Sequence, residues 1–393
     1  MSELVVRAYN VGFGDAVLVS IPERTVRGRE TTRHLLIDVG NLLAGQTNVD
    51  DVFLTVVQDI ADRTDGEVDL YVMTHEHLDH VQGLYYASLR GVELKARYAW
   101  LTGSSDPDYY ERNAKARKRR LDLQLALEDA IRLREADDDP QLEWMIRNNS
   151  AMLPPGALGL STADYVDHLR TLAPEGRTHY VHRSTSPRRK HPFKEAKLRI
   201  LAPEKDTTAY YGRAARGGSL TATTADSGSD SHGVGATEHL SAPPVGVDPG
   251  AFFDLLQSRR GRTRRRIMEI DAANNNTSVV IEIEWRGWRL LFPGDAELGS
   301  WARMSKEKLL HPVHFVKVSH HGSHNGTYEE IFDEVLPPVC PDGRERHAVV
   351  STSDGSWDSV PDQATLDFYG SRCTLHDTRE VPRGKPVEVV FPG

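Results

Sequence analysis

Thr74-His75-Glu76-His77-Leu78-Asp79-His80 brings three imidazoles and two carboxylates into one heptapeptide. The alternate spacing lets His75 and His77 point to one side of the segment, while Asp79 and His80 serve a second point nearby. Imidazole nitrogen with carboxylate oxygen suits zinc, iron or manganese, and no thiolate stands in the run to shift the choice. A polar turn of pH-sensitive histidines is the bland alternative. Ligands arriving in pairs point instead to a metal site.

The elements around this run must hold it still. Val68-Asp69-Leu70-Tyr71-Val72-Met73 is a β-branched and aromatic stretch that reads as a buried strand, so the cluster leaves its carboxyl end. Upstream, the strands Leu4–Tyr9 and Ala16–Ile21 flank Asn10-Val11-Gly12-Phe13-Gly14-Asp15, a hairpin turn with positive φ available. No helix follows it, which argues against a glycine-rich nucleotide loop. Leu35-Leu36-Ile37-Asp38-Val39-Gly40 sets Asp38 at a strand end beside a glycine, where a carboxylate can brace a neighbouring loop. Val52–Asp62 and Gly83–Leu89 have helical spacing, and Ala96–Thr102 reads as a strand.

Residues 106–156 read as a helical insertion or lid, with Leu121, Leu123, Leu125, Leu127 and Ile131 on a loosely amphipathic stretch. It is basic over Arg112–Arg120, a solvated face by default, and acidic over 135–139. Thr178–His182 and Lys197–Leu201 are expected as a strand pair. Residues 205–250, rich in Gly, Ser, Thr, Ala and Asp, read as a flexible inserted loop that cannot offset its ordering entropy. A short helix, Ala251–Gln257, then leads to the strongest basic cluster, which includes Arg262, Arg264, Arg265 and Arg266.

In the second half, Asn274-Asn275-Asn276-Thr277-Ser278 opens the strand Val279–Glu284, and a Gly287 turn leads to Trp288–Phe292 and on to Asp295. His314–Val318 is a strong strand, read as continuing through His320 and releasing His321 at its end. A strand over Ala348–Thr352, a helix after Pro361 and a terminal hairpin over Cys373–Phe391 complete the unit. Strands that release ligand residues at their carboxyl ends, with helices between, imply two face-to-face sheets with helices outside, in a single α/β domain over 1–393.

Of 393 residues 39% are hydrophobic, enough for a large core. A mean hydropathy of −0.48 and no long apolar run leave no candidate transmembrane helix. Met1-Ser2-Glu3-Leu4-Val5-Val6 runs straight into a strand without a basic and then apolar leader. Cys340 and Cys373 are too few for a disulfide framework and read as buried small hydrophobes. A soluble cytoplasmic protein with no membrane association is expected. The net charge of −9 argues against a chain built wholly to coat nucleic acid, yet permits a local basic groove.

The order Asp38, then His-x-His-x-Asp-His at 75–80, then Asp295, then His320-His321 resembles the metallo-β-lactamase superfamily. Asn10–Asp15, Asn275–Ser278, Pro293-Gly294-Asp295-Ala296-Glu297 and His320-His321-Gly322-Ser323 further resemble the ComEC-type nuclease domain of DNA uptake. The resemblance implies a four-layer αββα sandwich with two divalent metal ions, zinc or manganese, at one edge. It implies His75 and His77 on the first ion, Asp79 and His80 on the second, Asp295 bridging, and His321 or its rival His320 completing the second. Asp38 would orient the metal loop by hydrogen bonds, with Asn276 and Ser278 in supporting positions. Relatives often supply one more histidine; His168, His179, His182 and His191 are the candidates, none in a convincing context. Val360-Pro361 stands where ComEC-like chains tend to have His-Pro, a departure on the substrate side.

The expected activity is phosphodiester hydrolysis of DNA or RNA by a metal-bridging hydroxide oriented by Asp79. Ser323 and His324 would donate to a non-bridging oxygen, and His320, if not a ligand, would act as acid for the leaving group. Arg262, Arg264, Arg265 and Arg266 would hold the phosphate backbone. Two rivals stand beside this. One is a hydrolase of small substrates such as a cyclic nucleotide, a phosphorylcholine-like ester or a lactone. The other is a non-catalytic, metal-stabilised partner subunit in a defence or stress system.

Overall fold

Residues 2–24, 28–41, 50–134, 140–150, 161–210, 265–354 and 360–393 are described by the computed structural model of the chain. Leu4–Tyr9 (β1) and Ala16–Arg24 (β2) form the expected antiparallel hairpin, and Glu30–Val39 (β3) pairs with β2. Period-two alternation sends Leu4, Val6 and Ala8 into the core, with Val5 and Arg7 half-buried on the other face. Asp50–Thr64 (α1) follows.

The expected strand over 68–73 divides into Glu67–Val68 (β4) and Leu70–Met73 (β5). Asp69 between them turns a buried carboxylate onto the backbone N–H of His34 at 2.9 Å and the Arg33 guanidinium at 2.7 Å. After Leu78–Val81 (α2) and Gly83–Leu89 (α3), the strand expected over 96–102 divides in the same way, into Lys95–Ala96 (β6) and Ala99–Thr102 (β7). β4 and β6 pair with each other outside the main sheets.

Tyr109–Arg112 (α4), Ala114–Arg134 (α5) and Pro140–Asn148 (α6) make the 106–156 stretch helical over its described residues. Leu127 is buried there, whereas Leu121 and Leu125 are exposed. Thr162–Arg170 (α7), Thr178–Val181 (β8) and Lys197–Ala202 (β9) come next. Of 205–250 only 205–210 are described, with a 3₁₀ turn at Thr207–Ala209. The expected helix at 251–257 lies outside the described residues, as do Arg262 and Arg264. A helix over 265–275 (α8) packs on α5 and α6 through Leu127, Ile146, Ile267, Ile270 and Ala273.

The second half runs Val280–Trp285 (β10), Trp288–Phe292 (β11), Leu298–Lys306 (α9), Phe315–Lys317 (β12) and Glu329–Val335 (α10). His347–Val350 (β13), Gln363–Arg372 (α11), Thr374–Asp377 (β14) and Pro386–Phe391 (β15) close it. Two mixed sheets result, ordered β15-β1-β2-β3-β5-β7-β8 and β14-β13-β12-β11-β10-β9.

Two expected pairings are therefore corrected. β8 lies parallel to β7 in the first sheet, while β9 pairs with β10 in the second. Likewise β14 joins β13, while β15 pairs with β1. In each case neighbours in sequence are drawn to opposite walls of one core. Val181, Leu198, Ile200, Val389 and Phe391 all enter the hydrophobic cluster that both sheets share. The opposite face of the first sheet is covered by α1, α3 and α7, and that of the second by α9, α10 and α11. The chain is thus an α/β sandwich.

Cys340 and Cys373 are free and half-buried, not core residues; Cys373 packs against the second sheet's outer cluster. Among the described residues no helix is long and apolar enough to cross a membrane.

Candidate metal centre

Backbone proximity places the loop before any side chain acts. The Asp15 N–H donates to the Asp79 carbonyl, and the Gly40 N–H to the Asp15 carbonyl, both at 2.9 Å. A Cβ on Gly40 would stand 2.2 Å from the Asp79 carbonyl carbon and the His80 nitrogen; one on Gly14 would stand 2.3 Å from the Gly40 oxygen. Only glycine permits the first hairpin turn and the end of β3 to press so closely on residues 79–80.

Asp38, in the left-handed region at φ 52°, then braces the loop. Its Oδ1 accepts the Thr74 N–H at 2.8 Å, and its Oδ2 accepts the Thr74 hydroxyl at 2.6 Å and His80 Nδ1 at 2.9 Å.

These bonds fix the histidine tautomers, because an acceptor on one ring nitrogen leaves the lone pair on the other. His80 Nδ1 faces the Asp38 carboxylate, so its lone pair is on Nε2. His321 Nδ1 donates to the Ser351 carbonyl at 2.9 Å, with the same result. The Thr74 hydroxyl donates its hydrogen bond to Asp38, so at 3.0 Å its oxygen accepts from His75 Nδ1, and again the lone pair is left on Nε2. Ser278 Oγ lies 3.3 Å from that same His75 nitrogen and accepts the Asp295 N–H at 3.2 Å.

The freed atoms converge. Asp79, His80, Asp295 and His321 each offer one ligand atom, all within 4.8 Å of one another and all buried. The His75 ring lies 4.6 Å from that of His77 and 4.2 Å from that of His80. His75 Nε2, His321 Nε2, Asp79 Oδ1 and Asp295 Oδ1 are buried without a hydrogen-bond partner among the described residues. His321 Nε2 stands 3.2 Å from Asp295 Oδ2 and 3.3 Å from Asp79 Oδ2, a lone pair facing two anionic oxygens. Such an arrangement demands a positive charge between them, a proton or a cation.

The electrostatics state the same demand. Burial disfavours charge on His80, but Asp295, Asp79 and Asp38 outweigh it and hold its pKa well above the usual histidine range. Burial is also overruled at His321, which Asp295 pushes up to about 9. Burial opposes ionisation of Asp295, yet His321 and His80 hold it well below the usual carboxylate range. Burial, with His80 and His77 nearby, drives His75 the other way, well below the histidine range, so its nitrogen is a free base. Buried imidazoles and carboxylates so arranged can hold metal ions.

Two other groupings do not fit. Asp15, Asp38 and His80 have ligand spacing, but the Lys317 ammonium already lies 2.5 Å from Asp15 Oδ2. His314, Cys340 and Asp342 also cluster, but His314 Nδ1 accepts the Arg289 N–H at 3.0 Å. Its proton must then sit on Nε2, toward Asp342 at 3.0 Å, and no lone pair is left for a metal.

The structure thus brings together His75, His77, Asp79, His80, Asp295 and His321, with Asp38 and Ser278 bonded to them. His320 faces elsewhere. β12 ends at Lys317 rather than running through His320, and His320 and His321 are both left-handed, at φ 48° and 52°. That double turn sends His321 inward and hands His320 to Asn325 Oδ1 at 2.8 Å and the Asn275 amide at 3.4 Å.

Asn276 lies apart from the cluster: it accepts the Ser300 N–H at 2.7 Å and donates to the Ala272 carbonyl, joining α8 to α9. Ser323 is buried and its N–H bonds the His320 carbonyl, while His324 is exposed. Arg265 and Arg266 are exposed at the first described turn of α8. His168 packs on Tyr85, His179 on Tyr98, and His191 on Trp100, while His182 accepts the Ser184 N–H, so none of the four occupies the cluster.

Sequence reasoning gives no role to Asp15 and Glu297, although both stand in stretches that resemble the ComEC-type domain, and passes over Lys317, Asn149 and Asp271. Lys317 carries a signal, a lone cation in the apolar run 313–318. Asp15 is hidden by its turn-like surroundings. Glu297, whose carboxyl burial pushes up to about 8, accepts from Asn275 at 2.8 Å and Asn325 at 3.1 Å, the residues that hold His320. Set against known proteins, the chain matches no family model and no curated sequence.

Proposed function

We propose that the chain is a metal-dependent hydrolase of phosphodiesters, with nucleic acid as its substrate class. In this reading the sandwich is the four-layer αββα frame of the metallo-β-lactamase superfamily, in a ComEC-like form, and the centre holds two divalent ions, zinc or manganese. One observation carries it: Asp79 and His80 from the first sheet meet Asp295 and His321 from the second within 4.8 Å, with unpartnered donor atoms turned on one another.

Bound divalent ions would supply an acidified water and neutralise charge gathering at phosphorus. The chain's own contribution is orientation. Asp38 and Ser351 set the rings of His80 and His321, and the Asp79 and Asp295 carboxylates lie between those rings. The nucleic-acid part of the reading rests on α8. Asp271 of that helix lies 3.6 Å from His77, and the exposed Arg265 and Arg266 precede it by about 8–9 Å of helical rise. Cations at that reach suit phosphates flanking a scissile bond.

The test is a panel of plasmid, single-stranded DNA, RNA and bis-p-nitrophenyl phosphate, offered to chelator-stripped protein reloaded with manganese or zinc. Cleavage of polymer that is lost in Asp295→Ala is the expected result. Cleavage of the small ester alone would move the substrate class to small molecules. Loaded protein that cleaves nothing would end the hydrolase reading and favour a non-catalytic subunit.

A further inference from the structure

Helices outside the two sheets also touch the metal loop. The Leu78 N–H donates to Asn148 Oδ1 at 2.8 Å, and His77 Nε2 lies 3.3 Å from Asn149 Oδ1. Asn148 ends α6, Asn149 follows it, and both are buried. The Asn149 amide has only one workable orientation. Its Nδ2 donates to the Met145 carbonyl at 2.9 Å and to Asp271 Oδ1 at 3.1 Å, and its Oδ1 accepts Asn274 Nδ2 at 2.6 Å. Turning it over would set an oxygen against two acceptors and a donor against a donor.

An amide oxygen can only accept, so its contact with His77 requires the proton on Nε2. A neutral ring protonated there keeps its lone pair on Nδ1. Asp271 acts in the same sense, since its Oδ1 lies 3.6 Å from that Nε2 and favours an N–H in that direction.

We propose that Asn149 is a positioning residue of the metal centre, its amide oxygen holding the His77 ring by its Nε2 edge so that the opposite nitrogen faces the cluster. The inference rests on the reading of this cluster as a metal centre and extends it. Residues 140–150, distant in sequence from every sheet strand near the cluster, become part of what sets ion affinity. Sequence spacing between His75 and His77 does not reveal this, because the acceptor lies 72 positions away.

The experiment follows cobalt(II) absorption during titration of chelator-stripped full-length protein, beside a long-range ¹⁵N–¹H spectrum of histidine-labelled wild type before metal is added. The spectrum is expected to show the His77 proton on Nε2. Asn149→Leu is expected to weaken cobalt binding about 10–100-fold, the usual loss on removing a group that orients a metal-bound histidine. The paired exchange Asn149→Asp with Asp271→Asn keeps an acceptor facing His77 but sets an oxygen toward the Met145 carbonyl, and is expected to restore part of it. A folded Asn149→Leu variant that titrates like wild type overturns the proposal. So does a spectrum with the proton on Nδ1, which decides the matter even if the variant fails to fold. Wild type that takes up no cobalt overturns the metal reading itself, a result separate from any difference between variants.

Discussion

Lys317 Nζ lies 2.5 Å from Asp15 Oδ2, and both side chains are almost wholly buried. The pair ties the first hairpin turn to the end of β12, one sheet to the other. Asp15 also stands 3.8 Å from His321 and 3.9 Å from His80. A buried ion pair is worth little against an apolar substitute, but breaking it strands a charge.

Lys317→Met should therefore cost about 3–5 kcal/mol, the penalty of leaving Asp15 unpaired in the interior. Adding Asp15→Asn should recover much of that loss, and urea unfolding of both single variants and the double gives the coupling directly. Additive losses would show that the two residues act separately.

Gly40→Ala should destabilise the protein by about 3 kcal/mol or more, because an added methyl group has only backbone to displace. The same substitution should weaken divalent-ion binding, since the atoms in its way belong to Asp79 and His80. Unchanged unfolding and unchanged cobalt uptake would contradict the close approach.

Divalent ions should stabilise the chain by about 2.7 kcal/mol when present at a hundred times their dissociation constant, and Asp295→Ala should abolish this. The pH trend has two opposing parts. His321 is raised from the ordinary 6.5 to about 9, so its contribution to metal-free stability is complete below 6.5 and fades as pH rises through 9. An ion must displace that proton, so ion-induced stabilisation should grow over the same interval. Urea midpoints with and without zinc across pH 6–9 measure both slopes, and parallel curves would contradict the assignment.

Cys373 should resist alkylation under mildly alkaline native conditions, because burial pushes its thiol up to about 11. Cys340, half-buried beside Asp342 at the surface, should label first. Peptide mapping after iodoacetamide treatment checks the order, and equal labelling would contradict it.

The heptapeptide at 74–80 is legible because its donors sit together after a β-branched run, and local pattern suffices to place them. That His321 rather than His320 lies in the cluster matches the expectation, but not for the reason given. A strand continuing through His320 is the wrong reason; the two consecutive left-handed residues that decide it leave no mark in residue type. Asn149 and Asp271 are not legible at all, since an amide just past one helix and a carboxylate on another are ordinary until tertiary packing turns them on His77. The two mistaken strand pairings share one cause. Proximity in sequence suggests a pair, whereas burying Val181 and Val389 against strands of the other sheet requires the chain to cross over.

The paired contacts around Asp295 draw on both sheets: His80 stands 3.1 Å away on one side and His321 3.2 Å on the other. Any sliding of one sheet past the other opens that gap before it disturbs a single strand pairing. A cation held there would act as a rivet across the sandwich, so its release rate and the looseness of the seam should rise and fall together.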